Sequence, residues 1–560
     1  MRVERRGRGS NPGAAERTGP STVTGRRKKW LIGIGVGTVA ALVALSVAGY
    51  LLANRLEPYV RTQAIAYLQS RFDSEVELAA VRVRMPEFSP VQMLFRRGRG
   101  VRVGVEGDDV LLRHKGRRDL PPMFSMKKFS FDVELGTLFD ETTIVRLVTI
   151  DGMEINVPPK GERPRLDSSA GEAAVRGEAD RGSPPRILFE EVIVTKAALT
   201  ILPKDRKKVP LHFDIHRIRL ESAGENVAMK YEAALTNAKP PGEIQSTGTF
   251  GPWVADEPGD SPIGGDYRFD NADLGVFSGI AGILHSSGQF EGSLSSVNAR
   301  GEATVPDFRL KQAGNPVPLR TTFEVLVDGT NGDTILKPVN GTLGSTNFTT
   351  SGGILKHDAD ARRTISLDVS MPEGNLRDIL TLAMKGTPFM QGKIFLKTSI
   401  AIPPLTGKVR EKLLLDGRFE ITGGRFLRST IQKQIDSLSR RGQGQPENEE
   451  IDAVVSAMAG TFKLENEVIT FRSLSFAVPG SGVDLAGRYD LDKDALDFHG
   501  TLKLEATVSQ TMTGWKRWAL RPVDPFFSKQ GSGTLLRIQV VGTSKEPKFG
   551  RDRGDQTPTK

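Results

Sequence analysis

Few residues in this chain are spaced for chemistry. Ser125 and Lys128 fit the S-x-x-K pattern, in which a lysine takes the proton of an acylating serine, but the companion motifs are missing. His212, Asp214 and His216 alternate, so on a strand all three share one face and could ligate a metal. Leu211, Phe213 and Ile215 take the other face, which equally describes a polar trio facing water. The other histidines, His114, His285, His357 and His499, are scattered singly. Neither a G-x-S-x-G elbow nor a Walker loop occurs. Cysteine is absent, which excludes thiol catalysis and cysteine-based zinc sites. Trp515, Lys516, Arg517 and Trp518 interleave aromatic and basic side chains, as nucleic-acid binders do. In an exported, anchored chain the same residues read as packing or an interfacial contact. The expectation is a protein that is not an enzyme, holds no cofactor or metal, and binds no nucleic acid.

Such a chain works through its surfaces, and the elements that carry them can be read in order. The run from Trp30 to Ala53 is uncharged and almost wholly apolar. At about 1.5 Å per helical residue it can cross the ~30 Å hydrocarbon layer once. Arg26, Arg27, Lys28 and Lys29 stand directly before it. The bias of Lys and Arg toward the cytoplasm keeps the N-terminus inside and exports the rest. A cleaved signal peptide competes, since Ser46, Val47 and Ala48 are small, but the apolar run exceeds a usual signal core. Gly33 and Gly37 form a G-x-x-x-G pair that permits close helix pairing.

The net charge of +10 suggests an acidic partner, yet residues 1–29 hold nine Lys/Arg against two Glu and supply most of it. That tail reads as disordered and suited to anionic headgroups. With 60 Gly, 33 Pro and 7% aromatic residues, the remainder suggests many short strands and turns.

Residues 56–72 show helical spacing at Val60, Ala64, Tyr67 and Leu68. Strand-like text follows. Val76 and Leu78 alternate, then Val81 and Val83 continue in shifted phase. Residues 160–185 are charged and rich in Pro and Gly, as in a linker. From about residue 187, runs of 6–10 alternating residues break at Gly, Asn, Asp or Pro, which predicts long antiparallel meanders. Two helical islands are expected late in the chain. One carries Leu427, Ile431, Ile435 and Leu438, and the other Ile451, Val454, Val455 and Met458. Both are read as covering an open end or face of the sheet, or as docking on a membrane or partner.

A single anchor before a long cysteine-free β-meander resembles the AsmA-like family of bacterial envelope proteins, relatives of TamB-type proteins. The text that carries the resemblance is RFDSEVELAAVRV (71–83) and VRLVTIDGMEINVPP (145–159) near the start. LLLDGRFEITGGRF (413–426) and SLSFAVPGSGVDLAGRYDLDKDALDFHGTLKL (473–504) carry it near the end. The domains read as a cytoplasmic tail (1–29), an anchor (30–53), an N-terminal AsmA-like part (54–159) and a linker (160–185). A central β-region (186–410), a C-terminal AsmA-like region with helices (411–550) and a tail (551–560) follow.

The resemblance implies an elongated β-groove, apolar inside, held at the bacterial inner membrane with the bulk of the chain in the periplasm. It also implies a role in outer-membrane biogenesis, in which phospholipid acyl chains are held or moved without catalysis. The alternative is a scaffold that influences outer-membrane protein targeting and insertion through an envelope partner. Candidate groove residues are Phe419, Ile421, Phe462, Leu464, Tyr489, Leu491, Leu502 and Leu504, chosen from Gly-initiated alternating runs. A closed sandwich core would use the same residues.

Overall fold

The computed structural model describes most of residues 74–157, 186–506 and 534–552, with a few helical positions between 61 and 69. The expected anchor, the basic tail, the linker and the Trp515–Trp518 pair lie outside the described residues. Among the described residues no helix is long and apolar enough to cross a membrane.

Twenty-four strands form one mixed sheet. β1 (Ser74–Arg84), β2 (Arg102–His114), β3 (Phe124–Glu134) and β4 (Thr142–Val157) pair antiparallel in sequence order. β5 (Arg186–Ile201) then pairs parallel with β4, from Thr142 opposite Arg186 to Val157 opposite Ile201. A purely antiparallel meander was expected. A parallel neighbour requires the chain to return to the same end of the sheet, which takes a connection of a dozen residues or more. The linker-like segment 160–185 falls between these two strands.

The antiparallel meander resumes with β6 (Leu211–Gly224), β7 (Met229–Ala238), β8 (Pro241–Phe250) and β9 (Pro262–Asp273). β10 (Ile280–Ala281) is only two residues and pairs with the end of β12. β11 (Ile283–Ser293), β12 (Ser296–Leu310), β13 (Val317–Val327), β14 (Thr334–Leu343) and β15 (Thr346–Lys356) carry the sheet onward from β9. β16 (Arg363–Asn375), β17 (Met390–Ile402), β18 (Leu414–Phe426) and β19 (Ser456–Glu465) continue it. It closes with β20 (Val468–Val478), β21 (Ser481–Asp490), β22 (Ala495–Leu504), β23 (Thr534–Gly542) and β24 (Pro547–Arg551).

Three helices are named here: α1 (Leu376–Ala383), α2 (Val409–Lys412) and α3 (Ser429–Gly442). α3 coincides with the first expected island. The second does not form at its end, because Met458 lies in β19, opposite Ile421 of β18 and Phe476 of β20. There the ladder on both sides overrides a helical pattern that local spacing alone suggested. α1 was not anticipated, although its signals are present. Asn375 caps it by accepting from the Arg377 amide at 3.0 Å, and Leu376, Ile379 and Leu380 recur at helical spacing.

The phase shift between Leu78 and Val81 belongs to a crease that crosses neighbouring strands. Asp109, Gly152 and Lys196 have φ values of 50°, 68° and 50°, and β6 shifts register between Ile215 and Arg217. In register, Asp108 faces Lys128, Lys128 faces Asp151, and Thr195 faces both Asp151 and Arg217. Register holds from β1 to β6 across this line, so these residues turn the strands together, and only β6 carries an extra residue against β7. A second crease runs through β16–β19, with register shifts at Met371/Gly374, Gln391/Lys393 and Ile421/Gly424.

Candidate functional site

Alternation gives the sheet two unlike faces. One is charged and laced by cross-strand pairs such as Arg84–Glu106 at 2.7 Å, Arg219–Glu191 at 2.6 Å and Lys503–Asp484 at 3.5 Å. The other is apolar and continues from strand to strand in register. Leu78 faces Val110, which faces Met126, which faces Met153. Ile218 faces Ala233, and Leu235 faces Ile244, which faces Phe269. Toward the C-terminus, Leu396 faces Phe419, Phe462 faces Phe471, and Leu485 lies between Leu474 and Gly500.

Burial on this face is uneven. Val76, Leu78, Val110 and Leu112 form a buried cluster that Ile65 of the N-terminal helical segment helps to cover. Arg61 in that segment donates through Nη2 to the Leu78 carbonyl at 2.7 Å. A second cluster, Leu376, Met390, Ile394 and Ile421, sits under α1, with Ile379, Leu380, Leu396 and Phe419 packed around it. Between these covers most apolar side chains stay half-buried, as at Leu235, Phe290, Phe323 and Val325. A closed sandwich would bury them under a second sheet about 10 Å away.

Most of the sequence-chosen candidates lie on this face. Phe419 and Ile421 stand on β18, Phe462 and Leu464 on β19, Tyr489 on β21, and Leu502 and Leu504 on β22. Leu491 lies just past the end of β21, where its amide donates to the Glu467 carbonyl at 2.9 Å. Phe419, Phe462, Phe471 and Phe498 form a connected layer with ring centroids 5.7–6.5 Å apart. Ile421, Leu464 and Leu504 are buried beneath their neighbours.

The central part of the same face escaped the sequence reading. It is floored by Gly248 opposite Gly265 and Gly288 opposite Gly301. A Cβ on Gly265 would fall 2.3 Å from the Thr247 carbonyl oxygen and 2.9 Å from Gly248 Cα, so backbone approaches backbone there as only glycine allows. Two hydroxyl pairs cross it. Tyr231 Oη lies 3.0 Å from Ser246 Oγ, which donates to the Asp266 carbonyl, and Tyr267 Oη lies 3.0 Å from Ser286 Oγ, which donates to the Glu302 carbonyl. With each serine proton committed to a carbonyl, each tyrosine donates to its serine and keeps acceptor lone pairs free. Burial pushes both phenols above their ordinary pKa. The sequence signal was glycine at matching depth in successive strands, which is visible only once register is known.

α3 docks with a polar surface beside its apolar stripe, whose Ile431, Ile435 and Leu438 are half-buried. Gln432, Asp436 and Ser439 turn inward and bond to strand ends. Gln432 Oε1 accepts from the Phe426 amide at 2.9 Å, Asp436 Oδ1 accepts from the Val454 amide at 2.9 Å, and Ser439 Oγ donates to the Pro479 carbonyl at 2.8 Å. Strand ends expose unpaired backbone groups, and these side chains satisfy them. Leu427, the first residue of the expected stripe, lies ahead of the helix and remains 47% exposed.

The residues first considered for chemistry are dispersed. His212 Nε2 meets Asp214 Oδ1 at 3.0 Å and its Nδ1 meets Thr200 Oγ1 at 2.9 Å, while His216 bonds to Thr236 Oγ1 at 2.9 Å. Among the described residues no group of three or more His, Asp or Glu is placed to hold a metal. Ser125 and Lys128 occupy β3, where Ser125 faces Leu111 and Glu154 and Lys128 faces Asp108 and Asp151. Comparison with protein families, with curated proteins and with solved structures finds no match for this chain.

Proposed function

We propose that this protein holds lipid acyl chains along the apolar face of its sheet, curled into an open trough, and passes them on without catalysis. In this reading residues 30–53 anchor it in the bacterial inner membrane, and the sheet stands in the periplasm in the service of outer-membrane biogenesis. The observation that carries the reading is the half-buried apolar face, continuous in register and backed by a charged one. An acyl chain exposes roughly 0.8 kcal/mol of unfavourable surface per CH₂ in water, so such a face lowers the cost of moving it.

Curling is supported by the two creases and by one long-distance approach. Gly279, beyond the end of β9, approaches Val409, beyond the end of β17, closely enough that a Cβ added to the glycine would stand 3.6 Å from Val409 Cγ1. The two lie at opposite strand ends and about six ladder steps apart, roughly 50 Å in a flat sheet. Their proximity is consistent with a sheet that coils back on itself. Twenty-four strands limit the trough to about 115 Å, which is short for a bridge between two membranes and favours a holding role or a partner.

The test is native mass spectrometry with lipid extraction on the full chain. Co-purified phospholipid is expected, and it should be lost in Ala303→Glu and Leu485→Glu variants whose circular dichroism is unchanged. Equal lipid in wild type and in both folded variants would exclude the apolar face as the binding surface. A scaffold role is favoured by the exposed Leu427 just ahead of α3. That role predicts that Leu427→Glu abolishes partner capture and leaves lipid content unchanged.

A further inference from the structure

The apolar face is interrupted where the sheet coils back. α1 lies on β17 and reaches β12, β13 and β16. Its apolar residues cover Ile394, Ile421 and Phe419, so it stands on the surface an acyl chain would follow toward the C-terminal strands. It is fastened at its first turn. Asp378 Oδ2 accepts from the Ser345 amide at 2.8 Å, from Ser345 Oγ at 2.7 Å and from Thr346 Oγ1 at 2.9 Å. Farther along, the Asn315 amide donates to the Thr381 carbonyl at 2.8 Å, and Asn315 Nδ2 donates to the Gly386 carbonyl at 2.9 Å.

The Gly279–Val409 approach lies between the same two turns of the sheet. Each side is held by its own turn. The Lys311 amide donates to the Gly279 carbonyl at 3.1 Å, while Arg410 next to Val409 pairs with Glu467 at 2.5 Å and donates to the Leu491 carbonyl at 2.9 Å. Facing each other across the gap are a glycine and an isopropyl group, with no directional bond between them, so the two sides can part while each keeps its own bonds.

We propose that α1 and the Gly279–Val409 approach form a gate that divides the trough in two. An acyl chain passes from the N-terminal section to the C-terminal section only when the two turns of the sheet separate. This rests on the trough reading and adds its control point.

A Cβ built on Gly279 would stand 3.8 Å from the Val409 Cβ, which is the spacing of a disulfide, and the chain has no other cysteine to interfere. The experiment uses the full chain carrying Gly279→Cys and Val409→Cys. It is reconstituted in nanodiscs of phosphatidylethanolamine and phosphatidylglycerol that contain a phospholipid with a diazirine in its acyl chain. After illumination, labelled peptides are mapped by mass spectrometry in the reduced and oxidised forms of the same protein.

Reduced protein should carry label in both residues 74–157 and residues 414–504. Oxidation should cut label in the second region at least tenfold, leave the first unchanged, and be reversed by dithiothreitol. Equal label in 414–504 in both forms would overturn the gate and leave the trough standing. Label lost from both regions on oxidation, or failure of the pair to cross-link, would also overturn the gate. Absence of label from both regions in the reduced protein would overturn the trough, and the gate with it.

Discussion

The central and C-terminal sections of the apolar face are built from opposite materials. Around β8–β12 the face mixes glycine, alanine and paired hydroxyls with single rings such as Phe269 and the Tyr267–Phe290 pair, whereas around β18–β22 it is a layer of touching phenylalanines. Both follow the same alternation, so they differ in depth rather than in pattern. The aromatic section fills its own space with side chains. The central section uses small residues and lets backbones approach. In the lipid-holding reading both sections line the acyl chain's path, the first as a rigid aromatic surface and the second as a thinner floor.

Removing a ring should have the largest effect on stability. Phe471 touches Phe419, Phe462 and Phe498, so Phe471→Ala is expected to cost about 3 kcal/mol, read as a shift in the urea midpoint. Filling the central floor comes next. Gly265→Val forces a Cβ against the Thr247 carbonyl and should cost about 2–3 kcal/mol and displace lipid. Gly482→Ala, with nothing within 4 Å of the added carbon, should stay within about 0.5 kcal/mol of wild type. A central variant that keeps both stability and lipid would remove the distinction between the sections.

α1 stands at the border between them. Asp378→Ala strips the acceptor from three donors in the β14–β15 turn and should cost about 1–2 kcal/mol. Faster hydrogen exchange in residues 376–383, with β19–β22 unchanged, is the expected signature.

The smallest effect should come from pH. His499 lies between Asp552 and Asp497, both at 3.1 Å, and their hydrogen bonds raise its pKa above the ordinary 6.5. A raised histidine stabilises fully below its unfolded pKa, and that contribution is lost as pH climbs through the folded value. Melting temperature should therefore dip slightly from pH 6 to pH 8. The dip should vanish in His499→Gln, and an equal dip in that variant would assign it elsewhere.

How much of this was readable beforehand divides along the same line. Strands and faces follow from side-chain alternation, a local property, so Phe462 and Leu502 could be placed on one surface from spacing alone. The slip from Leu78 to Val81 was visible too. Its meaning was not, because a crease exists only when Asp109, Gly152 and Lys196 line up across strands. Depth was hidden for the same reason, since Gly248 and Gly265 become a floor only when register sets them opposite. α3 shows a further limit. Its apolar stripe is the obvious feature in sequence, yet open strand ends demanded hydrogen bonds, and Gln432, Asp436 and Ser439 supply them.

The parallel seam between β4 and β5 carries a consequence for how the chain assembles. Antiparallel neighbours zip outward from their turns, and each new pair encloses a loop already closed. Across the seam no pair is nearer than any other, and Asp151 and Thr195, like every facing pair, are 44 residues apart. The whole loop-closure entropy must be met before the first rung forms. The seam is thus the slow joint of the sheet, with the first four strands able to zip among themselves before they join the other twenty.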